Sequence, residues 1–191
     1  MRNSPDNTDS VIVDNTQGAE KAVDFLVEQG HREIYFVAGS DTLELYQERF
    51  SGYKKSLEKH GIPYSEDLVW PGFHGTNRII SQVAKERLES GVRPKAIFCA
   101  SDPLAIDLLK TLHDCKVSVP EQVSVIGFDN LKVSEIFYPS LTTIEQPFFE
   151  MGKAAVKLLV EQIENPNKRS EPNLIFDTKV IVRESVKSVE M

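Results

Sequence analysis

Four side chains in this 191-residue sequence have the chemistry to bind a small polar ligand: Arg49, Phe73, Ser101 and Asp129. The Arg49 guanidinium can donate paired hydrogen bonds to two ligand oxygens, such as vicinal hydroxyls or a carboxylate. The Asp129 carboxylate can accept hydrogen bonds from hydroxyls or ring N–H groups, and Ser101 offers a weaker hydroxyl contact. The Phe73 ring can stack on a sugar or a base. These residue types favour a binding site over a reaction centre.

Each of these side chains also has a structural interpretation. Arg49 could be a solvated surface arginine, although its helical neighbours three and four positions away include no carboxylate to pair with it. Asp129 could close an Asx turn at the end of the run VIGFDN, and Phe73 could fill space under a loop. Asp102 is expected to cap the helix that starts at Pro103 rather than to bind a ligand. On the residues alone, both interpretations stay open.

Nothing in the sequence indicates catalysis. No GxSxG elbow, P-loop, GxGxxG or HExxH motif is present, and the two cysteines, Cys99 and Cys115, belong to no CxxC or Cys/His cluster. The four histidines are scattered along the chain: His31, His60, His74 and His113. We therefore expect no enzymatic activity, no cofactor and no metal site.

The charge balance disfavours direct contact with nucleic acid. The formal net charge is -7, and the nearest approach to a basic cluster is the pair Lys168 and Arg169, which we expect in a solvated loop. No apolar run is long enough to span a membrane, and the polar first ten residues predict no secretory signal. With two cysteines that form no disulfide framework, the sequence favours a reducing, cytoplasmic location.

An alternation of short apolar runs with amphipathic segments predicts the elements that hold the candidate side chains. The runs are continuous in Val, Ile and Phe, which is typical of parallel strands covered on both faces. Repeated strand–helix units predict an α/β fold with a doubly wound parallel sheet. The predicted strands are residues 11–13, 34–38, 68–70, 96–100 and 123–128, and the predicted helices are 18–29, 44–60, 76–90 and 104–112.

The carboxyl ends of these strands select the candidate binding residues. In an open parallel sheet, ligands bind beyond those ends, which here are followed by residues 39–42, 73–75, 101–102 and 127–130. Arg49 lies in the helix after the second strand. Beyond residue 130 the pattern changes to a short extended piece, a helix with a broad apolar set over 148–164, a polar loop and a last strand pair over 174–182.

Several segments, in order and spacing, resemble the LacI/GalR family of transcriptional regulators over about residues 11–185. They are VIVDNTQGA, LVEQGHREIYFVAG, ERFSGYKKSLEKHGI, RPKAIFCASDPLAIDLLK, VPEQVSVIGFDN, YPSLTTIEQPFFEMGKAAVKLL and VIVRES. The resemblance implies a periplasmic-binding-protein-like core of two lobes, with an effector in the cleft between them. It also implies effector contacts at Arg49, in its RxxG context, and at Asp129, in GFDN. Phe73 falls where an aromatic residue commonly lines the cleft, and Ser101 is a further candidate.

The sequence departs from the family pattern in two ways. Leu43 and Leu45 are apolar where purine-responsive relatives place polar contacts, which favours a sugar or sugar phosphate as effector. The family's helix-turn-helix, hinge helix and first βα units have no counterpart in the sequence. We therefore expect one C-terminal lobe, from residues 9–145 with closing strands at 173–186, and a helix at 147–165 that belongs to the N-terminal lobe.

The resemblance implies partners that the chain would meet only as part of a longer protein. Operator DNA would be bound only through the N-terminal region that the sequence lacks, and a homodimer is expected because two operator half-sites call for a two-fold protein. The alternative function is that of a solute-binding protein for transport, which shares the fold but needs an export signal. A flavodoxin-like enzyme would need phosphate-loop glycines that are missing.

Overall fold

The computed structural model describes residues 9–165 and 173–189, and it divides into two compact units. Of the described residues, the larger unit comprises 15–145 and 179–189, and the smaller unit comprises 9–14, 146–165 and 173–178. Most of the predicted polar loop, with Lys168 and Arg169, lies outside the described residues. None of the helices in the described ranges is long and apolar enough to cross a membrane.

The larger unit is built on a six-stranded, mostly parallel sheet. In the order in which they lie side by side, its strands are β10 (Lys179–Ile181), β8 (Thr142–Glu145), β7 (Ser124–Asp129), β6 (Ala96–Cys99), β2 (Ile34–Ala38) and β3 (Val69–Pro71). Only β10 runs antiparallel to its neighbour. The helices are α1 (Asn15–Glu28), α2 (Glu44–Lys59), α3 (Ile80–Glu89), α4 (Asp102–Asp114) and α5 (Lys132–Ile136). The predicted doubly wound α/β sheet is confirmed.

The direction of winding reverses between β2 and β6. From β2 the chain passes through α2 to β3 on one side, whereas the later strands β6, β7 and β8 follow one another on the other side. Right-handed crossovers place helices on opposite faces of the sheet when the winding direction changes. In the structure α1 packs with α2, and α3 packs with α4. The carboxyl ends of β2 and β6 therefore flank the topological switch point, where open α/β sheets bind ligands.

The core of the larger unit is aromatic at its centre. Phe36 on β2 lies within ring-contact distance of Phe98 on β6 and of Tyr53 on α2, with ring centroids 5.3 and 5.0 Å apart. Trp70 on β3 and Phe128 on β7 are also fully buried. The apolar stripes predicted on the helices point into this core, since Leu26, Leu57, Leu88 and Leu108 are all buried.

A short hairpin replaces the start of the predicted third helix. Residues 76–79 were expected to be helical, but β4 (Phe73–His74) pairs antiparallel with β5 (Asn77–Arg78), and α3 begins only at Ile80. Gly75, with φ +59°, makes the tight turn that this pairing needs, because a glycine meets no steric penalty at positive φ. The hairpin begins with Phe73, two residues after the end of β3.

The smaller unit contains β1 (Ser10–Val13), α6 (Phe148–Glu164) and β9 (Asn173–Phe176). β1 pairs in parallel with β9, and Ser10 Oγ donates a hydrogen bond to Asn173 Oδ1. The expected lobes, 9–145 with closing strands at 173–186 and a helix at 147–165, stay a prediction, and the compact units divide the chain differently. Residues 9–14 and 173–178 were expected in the larger unit, but their ladder is made with each other, and of the two predicted closing strands only β10 joins the six-stranded sheet.

The apolar face predicted for α6 is largely exposed. No residue of this helix is buried, and Phe149, Val156 and Ile163 keep 81, 63 and 71% of their surface. Within the smaller unit α6 packs against β1.

Candidate functional site

Arg49 lies on α2 at the switch point, with its three guanidinium nitrogens engaged by three parts of the larger unit. Nε donates to Asn15 Oδ1 at 3.0 Å, and Nη1 donates to the carbonyl oxygen of Ala100, just beyond β6, at 2.7 Å. Nη2 lies 3.1 Å from Asp129 Oδ1, at the end of β7. One side chain therefore joins the start of α1 and the ends of two neighbouring strands.

Burial excludes the surface interpretation of Arg49. The residue is only 3% exposed, and its guanidinium carbon lies 3.7 Å from the centroid of the Phe128 ring, which covers one face of the cation. Burial lowers the pKa of Arg49, and the neighbouring Asp129 carboxylate opposes that shift. The helical neighbours of Arg49 three and four positions away carry no carboxylate, and its carboxylate partner comes instead from the end of β7.

Asp129 is the more accessible member of the pair. Its side chain is 16% exposed, compared with 4% for that of Arg49. Its backbone has φ +124°, and the following Asn130 has φ +54°. Residues other than glycine rarely adopt positive φ. The turn after β7 is thus strained at the residue that presents the carboxylate, and such strain is typical of functional sites.

Asn15 and Glu48 complete the surroundings of Arg49, and the sequence analysis missed both. Asn15, the first residue of α1, is buried and donates from Nδ2 to Glu48 Oε2 at 2.8 Å. Its other amide atom accepts from Arg49, so the Asn15 amide orients the guanidinium. The position of Asn15 was a usable signal, because it lies two residues beyond the end of β1, and positions just beyond strand ends selected the other candidates.

An aromatic pair lies beside the cation. Tyr46, one turn before Arg49 on α2, has its ring centroid 5.7 Å from the Arg49 guanidinium carbon and 6.3 Å from the centroid of Phe73. A Cβ on Gly39 would lie 2.0 Å from the Tyr46 ring, so only glycine at the end of β2 lets this ring pack there. Tyr46 thus lies between Phe73 and Arg49 and links the two predicted residues. Tyr46 itself was not among the residues selected from the sequence.

Ser101 and Asp102 follow β6 and play different parts. Ser101 precedes the first turn of α4, is 3% exposed, and directly follows the carbonyl that Arg49 binds. Asp102 was expected to cap α4, but this expectation is wrong. The Asp102 carboxylate accepts from Leu131 N, Ser134 Oγ and Thr143 Oγ1 instead, away from its own helix.

This geometry is suited to binding a hydroxylated ligand. The guanidinium carries five N–H donors and has used three contacts on the protein, while a carboxylate has about four lone-pair sites. The edge of the Arg49–Asp129 pair can therefore donate to and accept from vicinal hydroxyls beside the Tyr46 and Phe73 rings. Among the described residues there is no group of three or more His, Cys, Asp or Glu side chains that could hold a metal ion.

Comparison with known proteins assigns a family. Residues 23–186 match the model of the periplasmic binding protein-like domain. The chain is 30% identical over 184 residues to the HTH-type transcriptional regulator RegA of Clostridium saccharobutylicum, an alignment that covers 92% of this chain and 53% of RegA. The chain thus spans about half the length of the curated relatives it matches.

Solved structures agree with this assignment. The regulator CelR in complex with cellobiose has a TM-score of 0.84 and 32% identity, over 96% of this chain and 56% of CelR. A LacI-family regulator from Enterococcus faecium with bound ribose has a TM-score of 0.86 and 30% identity, over 98% of this chain and 68% of that protein. The chain therefore belongs to the periplasmic binding protein-like domain family, as the part of that domain found in LacI-type transcriptional regulators.

Proposed function

We propose that this chain senses a small sugar-like effector and, within a longer regulator, controls binding to operator DNA. The observation that carries the proposal is the Arg49–Asp129 pair at the switch point between β2 and β6. Arg49, Phe73, Ser101 and Asp129 are the proposed effector contacts, with Tyr46 beside them. The relatives support regulation over transport, since those matched are transcriptional regulators.

The charge balance of the site favours an uncharged effector over a phosphorylated one. Asp129 balances the charge of Arg49, and Glu48 is bonded to Asn15, the third member of the same network. Arg78, on the hairpin with Phe73, is paired with Asp107 at 3.0 Å. An anionic ligand would therefore meet cations whose charge is already compensated, whereas hydroxyl groups can add hydrogen bonds to the pair without bringing a net charge.

The aromatic pair favours a ring with an apolar face. Sugars present C–H faces that pack on aromatic rings, and the Tyr46 and Phe73 rings offer two such surfaces beside the Arg49–Asp129 hydrogen-bonding edge. A site with apolar walls and a few placed polar groups is typical of small-molecule recognition. Cellobiose and ribose, the ligands of two structural relatives, are therefore suitable probes.

The remaining assignments follow from the family. The larger unit would be one lobe of the effector-binding domain, and the smaller unit part of the other lobe. Operator DNA would be contacted by regions of the longer protein rather than by this acidic chain. The effector would be bound in the cytoplasm and released unchanged. Self-association would use a second copy of the chain, through the exposed apolar residues Val133, Ile136 and Tyr138.

An NMR titration tests the proposed ligand class. Ribose and cellobiose should shift the backbone amides of Ser101 and Asn130 and the Arg49 Nε–H signal, whereas ribose 5-phosphate should bind more weakly than ribose. The amide of Cys115, at the far end of α4, serves as an internal reference that should not move. Tighter binding of the phosphate, or shifts confined to residues remote from Arg49, would contradict the proposal.

A further inference from the structure

Asp102 is a fully buried carboxylate that the proposed effector contacts do not include. It is 0% exposed and is the first residue of α4. Its Oδ2 accepts from the backbone N–H of Leu131 at 2.9 Å and from Ser134 Oγ at 2.6 Å. Its Oδ1 accepts from Thr143 Oγ1 at 2.6 Å. The Asp102 carboxylate therefore joins α4 to the turn after β7, to α5 and to β8.

These donors surround the turn that presents Asp129. The two peptide N–H groups that directly follow Asp129 are those of Asn130 and Leu131. Leu131 N–H binds Asp102 directly, and Asn130 N–H makes a long hydrogen bond, 3.4 Å, to the same Thr143 hydroxyl that donates to Asp102. Both amides are thus held by Asp102, one directly and one through Thr143.

The turn needs such support because its backbone is strained. Asp129 has φ +124°, which the surrounding structure must enforce, whereas Asn130, with φ +54°, lies in the left-handed region that asparagine tolerates. The Asn130 side chain adds two further bonds, to Glu145 Oε1 at 3.0 Å and from Arg183 Nη2 at 2.7 Å. These fix Asn130 to β8 and to the segment after β10, but they leave the Leu131 peptide to Asp102.

The hydrogen bonding at this position matches an aspartate. All three partners donate a hydrogen to the two carboxylate oxygens, whereas an asparagine would donate from its NH2 group, so at least one hydroxyl would have to turn and accept instead. A Cβ on Gly127 would lie 2.3 Å from Asp102 Oδ1, so the carboxylate lies directly on the backbone of β7, two residues before Asp129. A longer glutamate would not fit between them.

We propose that Asp102 is a positioning residue for effector binding. It acts through Asp129 and does not touch the ligand itself. It holds the strained turn after β7 so that the Asp129 carboxylate stays aligned with Arg49. The expected effect of Asp102 on effector affinity rests on the proposed function. Its role in holding the turn after β7 does not depend on any ligand.

The test compares Asp102→Asn with Thr111→Val, a substitution of a second buried polar residue on α4 whose hydroxyl donates to the backbone carbonyl of Asp107 on the same helix. In Asp102→Asn we expect amide hydrogen exchange at Asn130 and Leu131 to accelerate at least about tenfold relative to the amides of Val125 and Ile126. The exchange rates, and not the Arg49 signal, report on the turn, because the Asp102 charge also acts on Arg49 directly. Thr111→Val should change neither exchange rate, whatever its effect on Tm.

A second pair of variants keeps the test decisive if Asp102→Asn does not fold. Thr143→Val and Ser134→Ala each remove one hydroxyl donor to Asp102, but only Thr143 also holds Asn130. Exchange at Asn130 should accelerate only in Thr143→Val, whereas exchange at Leu131, which bonds to Asp102 itself, should accelerate in both variants. Wild-type exchange at Leu131 in both variants would overturn the proposal. Equal effects of the two variants on Asn130, or an Asp102→Asn protein with a lowered Tm but wild-type exchange at 130 and 131, would overturn the proposal.

Ribose binding supplies the functional part of the test. Asp102→Asn should weaken it about as much as a substitution of Asp129, whereas Thr111→Val should bind as wild type. Wild-type affinity in Asp102→Asn would overturn the positioning role. If ribose and cellobiose fail to bind the wild-type chain, the proposed function fails, while the exchange pattern still decides whether Asp102 holds the turn.

Discussion

Arg49 Nη2 and Asp129 Oδ1 lie 3.1 Å apart, and the pair joins α2 to the end of β7 across the switch point of the sheet. The two partners are unequally accessible, because 4% of the Arg49 side chain and 16% of the Asp129 side chain are exposed. Arg49 is held from behind by Asn15 and by the Ala100 carbonyl. Asp129 is therefore the partner that a ligand reaches first.

Loss of Arg49 should destabilise the fold as well as the site. Arg49→Ala leaves the Asp129 carboxylate, Asn15 Oδ1 and the Ala100 carbonyl without a shared donor, and breaking a buried ion pair on one side costs about 3–5 kcal/mol. Urea denaturation of Arg49→Ala and of the exposed-pair control Lys110→Ala measures this. A free energy of unfolding for Arg49→Ala equal to that of the control would show that the pair contributes nothing to stability.

Stability should fall below about pH 6.5 because of His31. His31 is 4% exposed, its Nε2 lies 3.0 Å from Ser124 Oγ, and burial lowers its pKa. Between its folded and unfolded pKa values the unfolded chain binds the proton and the folded chain does not, so stability is full above the unfolded value and is lost as pH falls toward the folded one.

The variant His31→Gln isolates this contribution. Its glutamine can still bond to Ser124 but does not titrate, so thermal unfolding between pH 7.5 and 5 should depend less on pH than in the wild type. The Asp24 carboxylate loses its contribution to stability at a lower pH than His31 does. Burial raises the pKa of Asp24, but hydrogen bonds from Lys59, Ser56 and His60 lower it overall, so the contribution is lost only in more acidic solution. Identical pH profiles for wild type and His31→Gln would contradict the role of His31.

The fold was predictable because its signals are local. Continuous apolar runs such as IYFVA and AIFCA are typical of strands buried on both faces, and they form β2 and β6. The unit boundaries were not predictable in the same way. Whether residues 174–176 pair with β1 or with the main sheet depends on tertiary partners, and both alternatives leave the same apolar pattern in the sequence.

The site was predictable only in its parts. The carboxyl ends of the strands selected Phe73, Ser101 and Asp129, since topology alone directs those positions to one edge. The burial of Arg49 was missed because its partners, Asn15 and Asp129, come from distant segments. Tyr46 was missed because its place depends on Gly39, a residue with no side chain to signal a contact.

Self-association should depend on the exposed apolar residues around α5. Ile136 and Tyr138 keep 73 and 89% of their surface, and adjacent exposed residues of this size are typical of interfaces. In sedimentation velocity, Ile136→Ser combined with Tyr138→Ser should shift the chain toward monomer. Leu43→Ser, which changes an exposed leucine elsewhere, should not. A wild-type chain that stays monomeric at high micromolar concentration would contradict this expectation.

Helix α6 should exchange its amide hydrogens faster than the strands of the larger unit. None of its residues is buried, and a helix of this length gains most of its stability from packing an apolar face. Hydrogen exchange should therefore be faster for Lys153–Ile163 than for β7, where Val125 and Phe128 are fully buried. Equally slow exchange in both segments of a monomeric chain would show that α6 is stabilised by contacts that its exposed surface does not indicate.

The most direct test of the effector site is a titration of ribose and cellobiose against the wild type, Asp129→Asn and Asp114→Asn. The last variant makes the same change at an exposed carboxylate on α4 that pairs with Lys110. A hydrogen bond to a charged group is worth about 1.5–3 kcal/mol, so Asp129→Asn should weaken sugar binding about ten- to a hundredfold, while Asp114→Asn should bind as the wild type does. Wild-type affinity in Asp129→Asn, accompanied only by a lower Tm, would contradict an effector site at the Arg49–Asp129 pair.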